Sequence, residues 1–451
     1  MVKAYNSTKT FFILISSLFI ITLVIINSQR TEALPSYARQ TGMACNTCHI
    51  TFPQLNQFGR QFKLNAYTLS AMESVEAKGD SDQVFLKLMR TLPISGMVQT
   101  SFTHISKEAA GTSNDNFSFP QQLSFLFAGE ITPKIGLFLQ ITYNDATGSF
   151  GWDNTDIRYA DNTSLFSKDL LWGFSLNNNP SVQDFLHTTP AWGFPFTSLS
   201  VGYSPGASPL IAGALAQKVI GFGIFGLWDN LIYAELSGYR SAPQGGPHPA
   251  DSTSVDFIKG IAPYWRLALQ QTWGSSYLAL GTYGMMTNKI PAGILGTADK
   301  FTDIGVDLQY ENQLGSNWLT GYFTWIHESQ DLAATYALNG SQNQTNTLDA
   351  WKLNLNYFFM QQFNISAGYF STVGSKDKVL YAANPLNGFN GDQPNTNGFT
   401  LEFSYLPWLN TRFSVQYINY NKFNGASDNY DGFQRKASDN NSIYLLGWIM
   451  F

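Results

Sequence analysis

The stretch Asp303-Ile304-Gly305-Val306-Asp307-Leu308-Gln309-Tyr310-Glu311 decides the fold. Ile304, Val306, Leu308 and Tyr310 share one parity, and Asp303, Asp307, Gln309 and Glu311 share the other. Period-two alternation of this kind is a strand with one apolar and one polar face. It recurs at Ile135, Leu137, Leu139, Ile141 and Tyr143, which alternate with Gly136, Gln140, Thr142 and Asn144. Trp351 to Phe359 and Phe399 to Tyr405 repeat it, with Lys352, Asn354 and Asn356, then Thr400, Glu402 and Ser404, on the polar parity. Apolar residues facing outward, aromatics near strand ends and polar residues facing inward are the mark of a transmembrane barrel.

Composition agrees. Of 451 residues only 13% are charged, against 15% aromatic and 44% hydrophobic. A soluble domain averages about 25% charged residues, and a disordered or nucleic-acid-binding chain carries more. The formal net charge of −5 offers no basic footprint, so no nucleic-acid partner is expected. Mean hydropathy is only −0.12, as averaging over the two faces of each strand gives, and unlike a bundle of membrane helices.

Short turns are predicted near Pro133, Phe166, Asn230, Gly274, Gly315, Gln361 and Leu409. Longer polar connections are predicted at 106–117, 145–153, 178–215, 242–260, 288–301, 329–346, 374–396 and 423–441. Seven short turns alternate with eight long loops, which makes an all-β, 16-stranded antiparallel transmembrane β-barrel with both termini on the short-turn side. Bacterial outer-membrane barrels have short periplasmic turns and long outer loops. A soluble β-sandwich is the competing reading, but Greek-key connections do not sort lengths this way. The chain ends Ile443-Tyr444-Leu445-Leu446-Gly447-Trp448-Ile449-Met450-Phe451, apolar on both faces. A barrel of this size is expected to hold a water-filled channel. The longest loop, 178–215, is rich in apolar and rigid residues, which suits a loop folded into the lumen or a patch facing a partner.

The N-terminus carries an address. Lys3 and Lys9 precede an apolar run from Phe11 to Ile26, and Thr31-Glu32-Ala33 offers small residues for cleavage after Ala33. This reads as a signal peptide over 1–33; an uncleaved anchor is the alternative, though the run is short of the roughly 20 residues a spanning helix needs. Both cysteines of the chain lie in Cys45-Asn46-Thr47-Cys48-His49. C-x-x-C-H is the attachment pattern of a covalent haem c, with His49 as the axial ligand to iron. A disulfide or thioredoxin-like pair is the competing reading. Pro53 opens a stretch in which Leu55, Phe58, Phe62 and Tyr67 have near-helical spacing. Arg60 and Lys63 lie on its polar side and pair with haem propionates or line a solvated face. The resulting division is a signal over 1–33, a small α-helical c-type cytochrome segment over 34–90, and the barrel over 91–451. With strand one entering from the periplasmic side, the haem segment is expected to plug that mouth.

The run Leu34-Pro35-Ser36-Tyr37-Ala38-Arg39-Gln40-Thr41-Gly42, then Cys45 to His49, then Phe58-Gly59-Arg60-Gln61-Phe62-Lys63, resembles the fused monohaem cytochrome–porins of iron-oxidising bacteria. The likeness covers the haem segment closely and the barrel by architecture. It implies an outer-membrane cytochrome that oxidises extracellular Fe(II) and passes electrons through one haem to a periplasmic c-type cytochrome or cupredoxin. A diffusion porin with a haem-bearing docking plug, or a conduit for another extracellular donor, are the alternatives.

A methionine as second axial ligand raises a haem potential, which suits an Fe(II) donor. Met97 shares the inward parity of Ser95, Gln99 and Ser101 near the inner mouth and is the first candidate. Met72, Met89 and His187 are the others, with ordinary packing as the plain reading of each methionine. For Fe(II) itself, carboxylates at inward parity are Asp303, Asp307, Glu311 and Glu402, beside the bases Arg266, Lys352 and Arg412. Mixed charges of this sort are usual in a porin lumen. Glu108, Asp115, Asp428, Asp431 and Asp439 lie on outer loops without ligand spacing.

Overall fold

A computed structural model describes residues 35–69, 74–78, 84–108, 114–144, 148–180, 204–241, 257–291, 296–385 and 387–451. The expected signal peptide, Met72 and His187 lie outside the described residues.

Among these residues, sixteen long antiparallel strands close into one barrel. They are β1 Ile94–Ile105, β2 Asn116–Thr132, β3 Ile135–Asn144, β4 Ser149–Leu165, β5 Lys168–Asn177, β6 Val219–Trp228, β7 Ile232–Ser241 and β8 Ala262–Trp273. The second half is β9 Ser276–Ile290, β10 Asp299–Leu314, β11 Asn317–Asp331, β12 Thr345–Phe359, β13 Phe363–Gly374, β14 Thr396–Trp408, β15 Thr411–Lys422 and β16 Ser442–Met450. A two-residue piece, Phe257–Ile258, extends the sheet beside the end of β9. The seam is β16 against β1, with Met450 opposite Met97 and Trp448 opposite Gln99. The terminal Phe451 exchanges two backbone hydrogen bonds with Gly96, which locks the last residue into the ring.

Turn chemistry accounts for the sorted connections. Phe166 and Ser167, Asp229 and Asn230, and Met360 and Gln361 are consecutive pairs with positive φ. That is the requirement of two-residue turns whose twist matches a hairpin. The loop bounds differ modestly from expectation; the third long connection runs on to residue 218, where β6 begins.

The pleat separates two environments. Leu267, Leu269, Leu353, Leu355, Phe403 and Val415 are exposed on the outer face, at 42–51%. Large apolar residues left in the open over so much of a surface belong against hydrocarbon rather than water. Among the described residues most inward side chains are buried, contrary to the expected water-filled channel. Tyr233, Tyr239 and Tyr283 are fully enclosed, and so are Arg266 and Asp307, paired at 2.7 Å. Two features fill the lumen: tyrosines at inward parity, and the described end of the long third loop. From that loop Leu210, Ile211 and Leu215 join Tyr239, Tyr264, Tyr283, Met285 and Ile326 in one cluster. The expectation that this loop folds inward therefore holds for Leu210, Ile211 and Leu215, and Pro190–Pro195 lies outside the described residues.

The span 34–90 is not wholly helical as expected. It holds α1 Pro35–Thr41, α2 Cys45–Cys48 and α3 Gln57–Leu64, and also a separate hairpin, Ser74–Lys78 with Val84–Met89. Val75 and Ala77, then Val84, Leu86 and Leu88, alternate with period two, which favours strands. The third helix begins after Asn56, not at Pro53; the Asn56 side chain accepts from the Gly59 amide at 2.9 Å and so satisfies an orphan N–H.

Residues 35–69 touch strands around the ring at its short-turn end. The Ser36 amide donates to Ser95 Oγ, Gln40 to the Ala128 carbonyl, and the Tyr67 hydroxyl to Asp156. On the far side Arg412 donates to the Phe52 carbonyl. Gly136 admits this approach, since a Cβ there would lie 1.9 Å from the Ala66 carbonyl oxygen. Arg60 forms the strongest anchor. Its guanidinium grips both oxygens of Glu311 on β10, at 2.6 and 3.2 Å, and lies 4.3 Å over the Tyr277 ring. Arg60→Leu is expected to destabilise the protein by about 3–5 kcal/mol, because Glu311 is left buried and uncompensated. Denaturant unfolding in micelles measures this, and Arg60→Leu combined with Glu311→Leu should recover part of the loss.

Candidate functional site

The two halves of the C-x-x-C-H motif are held by different pieces of local structure. Cys45 and Cys48 bracket the short helix α2, and His49 opens a short hairpin, His49–Thr51 with Gln54–Leu55, in which His49 pairs with Leu55. Helix α3 packs directly on this unit through Gly59, where a Cβ would stand 2.2 Å from the Cys48 carbonyl oxygen. Any side chain at 59 would push the helix away from the motif.

The motif opens onto a cavity of about 370 Å³ between the N-terminal segment and the barrel wall. From the segment it is lined by Cys45, Cys48, His49, Phe58, Phe62 and Lys63; from the barrel by Met97, Leu126, Phe138, Trp448 and Met450. The walls are mostly apolar. Cys45 and Cys48 carry thiols and share no disulfide, and burial pushes the Cys48 thiol up to about 11. Burial likewise lowers the His49 pKa to about 4, so the imidazole is neutral at pH 7. His49 Nδ1 lies 3.2 Å from the Pro53 carbonyl oxygen. A carbonyl only accepts, so the tautomer that satisfies this contact carries its proton on Nδ1 and leaves the Nε2 lone pair, the form in which a histidine binds a metal. The ring packs 5.4 Å from Phe52, which stands edge-on to Trp448 at 4.6 Å.

Two thiols, a neutral imidazole, a thioether and an ammonium around an apolar void form a donor set that suits a flat apolar macrocycle with carboxylate tails. The structure brings Cys45, Cys48, His49, Lys63 and Met97 to this one space. It places Arg60 elsewhere, buried against Glu311 and absent from the cavity wall. Neither Arg60 nor Lys63 lies on a solvated face; both are at least 95% buried. Met89 belongs to the hairpin.

Sequence reasoning missed Met450, Trp448 and Phe138. Their signal was present: β16 is apolar on its inward as well as its outward face, and Phe138 breaks the polar parity of β3. The inward apolar residues of these strands line the cavity.

The remaining expected residues are elsewhere. Asp307 pairs with Arg266 and Glu402 with Arg412; Asp156 and Arg158, which the sequence reading did not single out, form a third such pair. On the outer loops Asp115 pairs with His104, Asp439 with Lys107 and Asp428 with Lys436. Asp431 accepts from two loop amides, and Glu108 is exposed. Lys352 lies inward of the exposed Leu353, as its parity requires.

No protein-family profile matches the sequence, and no curated protein does. Among solved structures, the chain is similar to a loop-deletion mutant of OmpT, an outer-membrane protein of Vibrio cholerae. That pair is 11% identical over 80% of this chain and 99% of the other, with a TM-score of 0.45. The outer-membrane channel DcaP of Acinetobacter baumannii is 12% identical, covers 79% of this chain and 96% of its own, and scores 0.45. An anion-selective porin from Comamonas acidovorans is 11% identical over 79% and 98%, at 0.44. The barrel assignment rests on the strand order and register given above.

Proposed function

We propose that this chain is an outer-membrane cytochrome–porin that takes electrons from extracellular Fe(II) and delivers them to a periplasmic c-type cytochrome or cupredoxin. The observation that carries the reading is the convergence of Cys45, Cys48 and His49 with Met97 on one apolar cavity at the short-turn end of the barrel. In an outer-membrane barrel short turns face the periplasm, so the N-terminal segment plugs the periplasmic mouth.

The residues fit a covalently attached haem, whose chemistry when bound is one-electron exchange at a potential set by its surroundings. Cys45 and Cys48 supply the thioether sulfurs. His49 offers Nε2 to the metal, oriented by its Nδ1–H bond to Pro53. Met97 would be the first candidate to offer a thioether sulfur to the metal, since it is buried and lines the same void. Lys63 lines the cavity and offers a cation to a carboxylate tail. Phe58, Phe62, Leu126 and Phe138 exclude water. The packed inward faces of β6 to β11 speak against a diffusion pore as the main role. For a cell, this arrangement keeps insoluble Fe(III) outside while charge crosses the membrane.

Stopped-flow mixing of the purified oxidised protein with Fe(II) tests the reading. The haem Soret and α bands are expected to report reduction within seconds in the wild type. In His49→Ala reduction should slow by orders of magnitude. Wild type that stays oxidised for minutes would remove the Fe(II) donor.

A further inference from the structure

The buried carboxylates of the lumen differ in what faces them. Asp307, Glu311, Glu402 and Asp156 each meet an arginine, as a charge removed from water requires. Glu235, also buried, accepts from the hydroxyls of Tyr233 and Ser237. Asp303 and Glu328 follow neither pattern. They stand directly opposite each other on β10 and β11, both facing inward and both 1% exposed. Neither meets an arginine, and Lys289 is the cation whose charge acts on Glu328.

Asp303 is the less satisfied of the two. Neither of its carboxylate oxygens has a hydrogen-bond partner. The Glu328 carboxylate and the Ile211 backbone stand nearest to it. Glu328 accepts from the Leu210 amide and from Gln330 Nε2, each at 2.6 Å. The second of these bonds fixes the Gln330 amide at the cluster. Its own oxygen, Oε1, is buried without a partner in a side chain 93% enclosed. Three orphan oxygens, two of Asp303 and one of Gln330, thus gather beside a fourth acceptor group. Around them the lumen is apolar, with Ile211, Tyr283, Met285 and Ile326 in one cluster.

Oxygens that only accept, in a site that cannot be wetted freely, call for a positive centre. Carboxylate and amide oxygens are the ligands of hard divalent cations. We propose that Asp303, Glu328 and Gln330 form a binding site for a divalent cation inside the barrel. The site is near the long-loop end: Asp303 lies four residues into β10, and Glu328 three residues before the end of β11. Along β10, eight residues separate it from Glu311, the anchor of the N-terminal segment, which is roughly 26 Å of strand. It is thus a second site, remote from the cavity at Cys45–His49, and it stands whether or not that cavity holds haem. In an Fe(II) oxidase the site would hold the substrate cation on its way in.

The test uses the full chain in detergent micelles and Mn(II), an oxygen-seeking cation with a readable spin. Titration followed by the signal of free Mn(II) should show saturable binding at pH 7. Asp303→Asn and Glu328→Gln should each weaken it by at least about tenfold, and Gln330→Ala by less. Asp115→Asn, on an outer loop, should leave it unchanged. Heat-modifiable mobility on gels confirms that each variant forms the barrel. Absence of saturable binding in the wild type, as for two carboxyl groups sharing a proton, overturns the proposal. So does an affinity indifferent to Asp303→Asn and Glu328→Gln in folded protein.

Discussion

Replacing Cys45 and Cys48 together by serine is expected to abolish covalent haem while leaving the barrel intact. The two thiols border one cavity, carry no mutual disulfide, and are the chain's only cysteines. A hydroxyl cannot form the thioether. Peroxidase staining after denaturing electrophoresis, and the mass of the mature chain, should therefore lose the haem completely. The barrel is held by its own ladder from β1 to β16 and by the anchors of Arg60, Tyr67 and Gln40. Those do not involve the cysteines, so heat-modifiable mobility should persist. Wild-type protein carrying a Cys45–Cys48 disulfide and no added mass would reverse the assignment.

The second large effect is expected at Met97. A thioether ligand to oxidised haem gives a near-infrared band, and Met97→Ala should eliminate it. The potential should fall by on the order of 0.1 V or more, within the ~0.8 V over which axial ligands tune haem. Met97 is 5% exposed, lines the cavity and lies opposite Met450 across the seam. Met450 faces the same space, so Met450→Ala is the informative control. It should keep the band, as should Met72→Ala. Loss of the band in Met450→Ala with retention in Met97→Ala would transfer the role across the seam. Gln99 Nε2 stands 3.9 Å from the Met97 sulfur, which gives that side chain a fixed neighbour that simple packing would not need.

The barrel was legible because its signals are local. Parity within a strand, such as Ile304 to Tyr310, needs no knowledge of any other strand. Turn residues such as Asn230 and Gly274 mark their own positions. The motif Cys45 to His49 is equally local. What escaped is long-range. Arg60 looks like a surface base on a helix, and its partner Glu311 lies 251 residues away. Only closure of the ring brings them together. The filled lumen escaped for a related reason. Tyrosines at inward parity, such as Tyr233 and Tyr283, read as polar-face residues in each strand. They close the interior only when strands and the third loop are assembled around them. The hairpin at Ser74–Lys78 and Val84–Met89 was overlooked because two short strands sat inside a segment read from its helices. The apolar inward face of β16 was noticed without an explanation; the cavity supplies one.

Electron transfer across the membrane with the metal kept outside is the central claim. It is tested most directly in proteoliposomes that enclose a periplasmic-type c cytochrome or cupredoxin, with Fe(II) added outside. The account predicts that the enclosed acceptor is reduced within seconds when the wild-type chain is present. No reduction above empty vesicles is predicted with Cys45→Ser/Cys48→Ser. Equal reduction by the wild type and by that variant would show Fe(II) passing through the barrel itself, and would contradict the account.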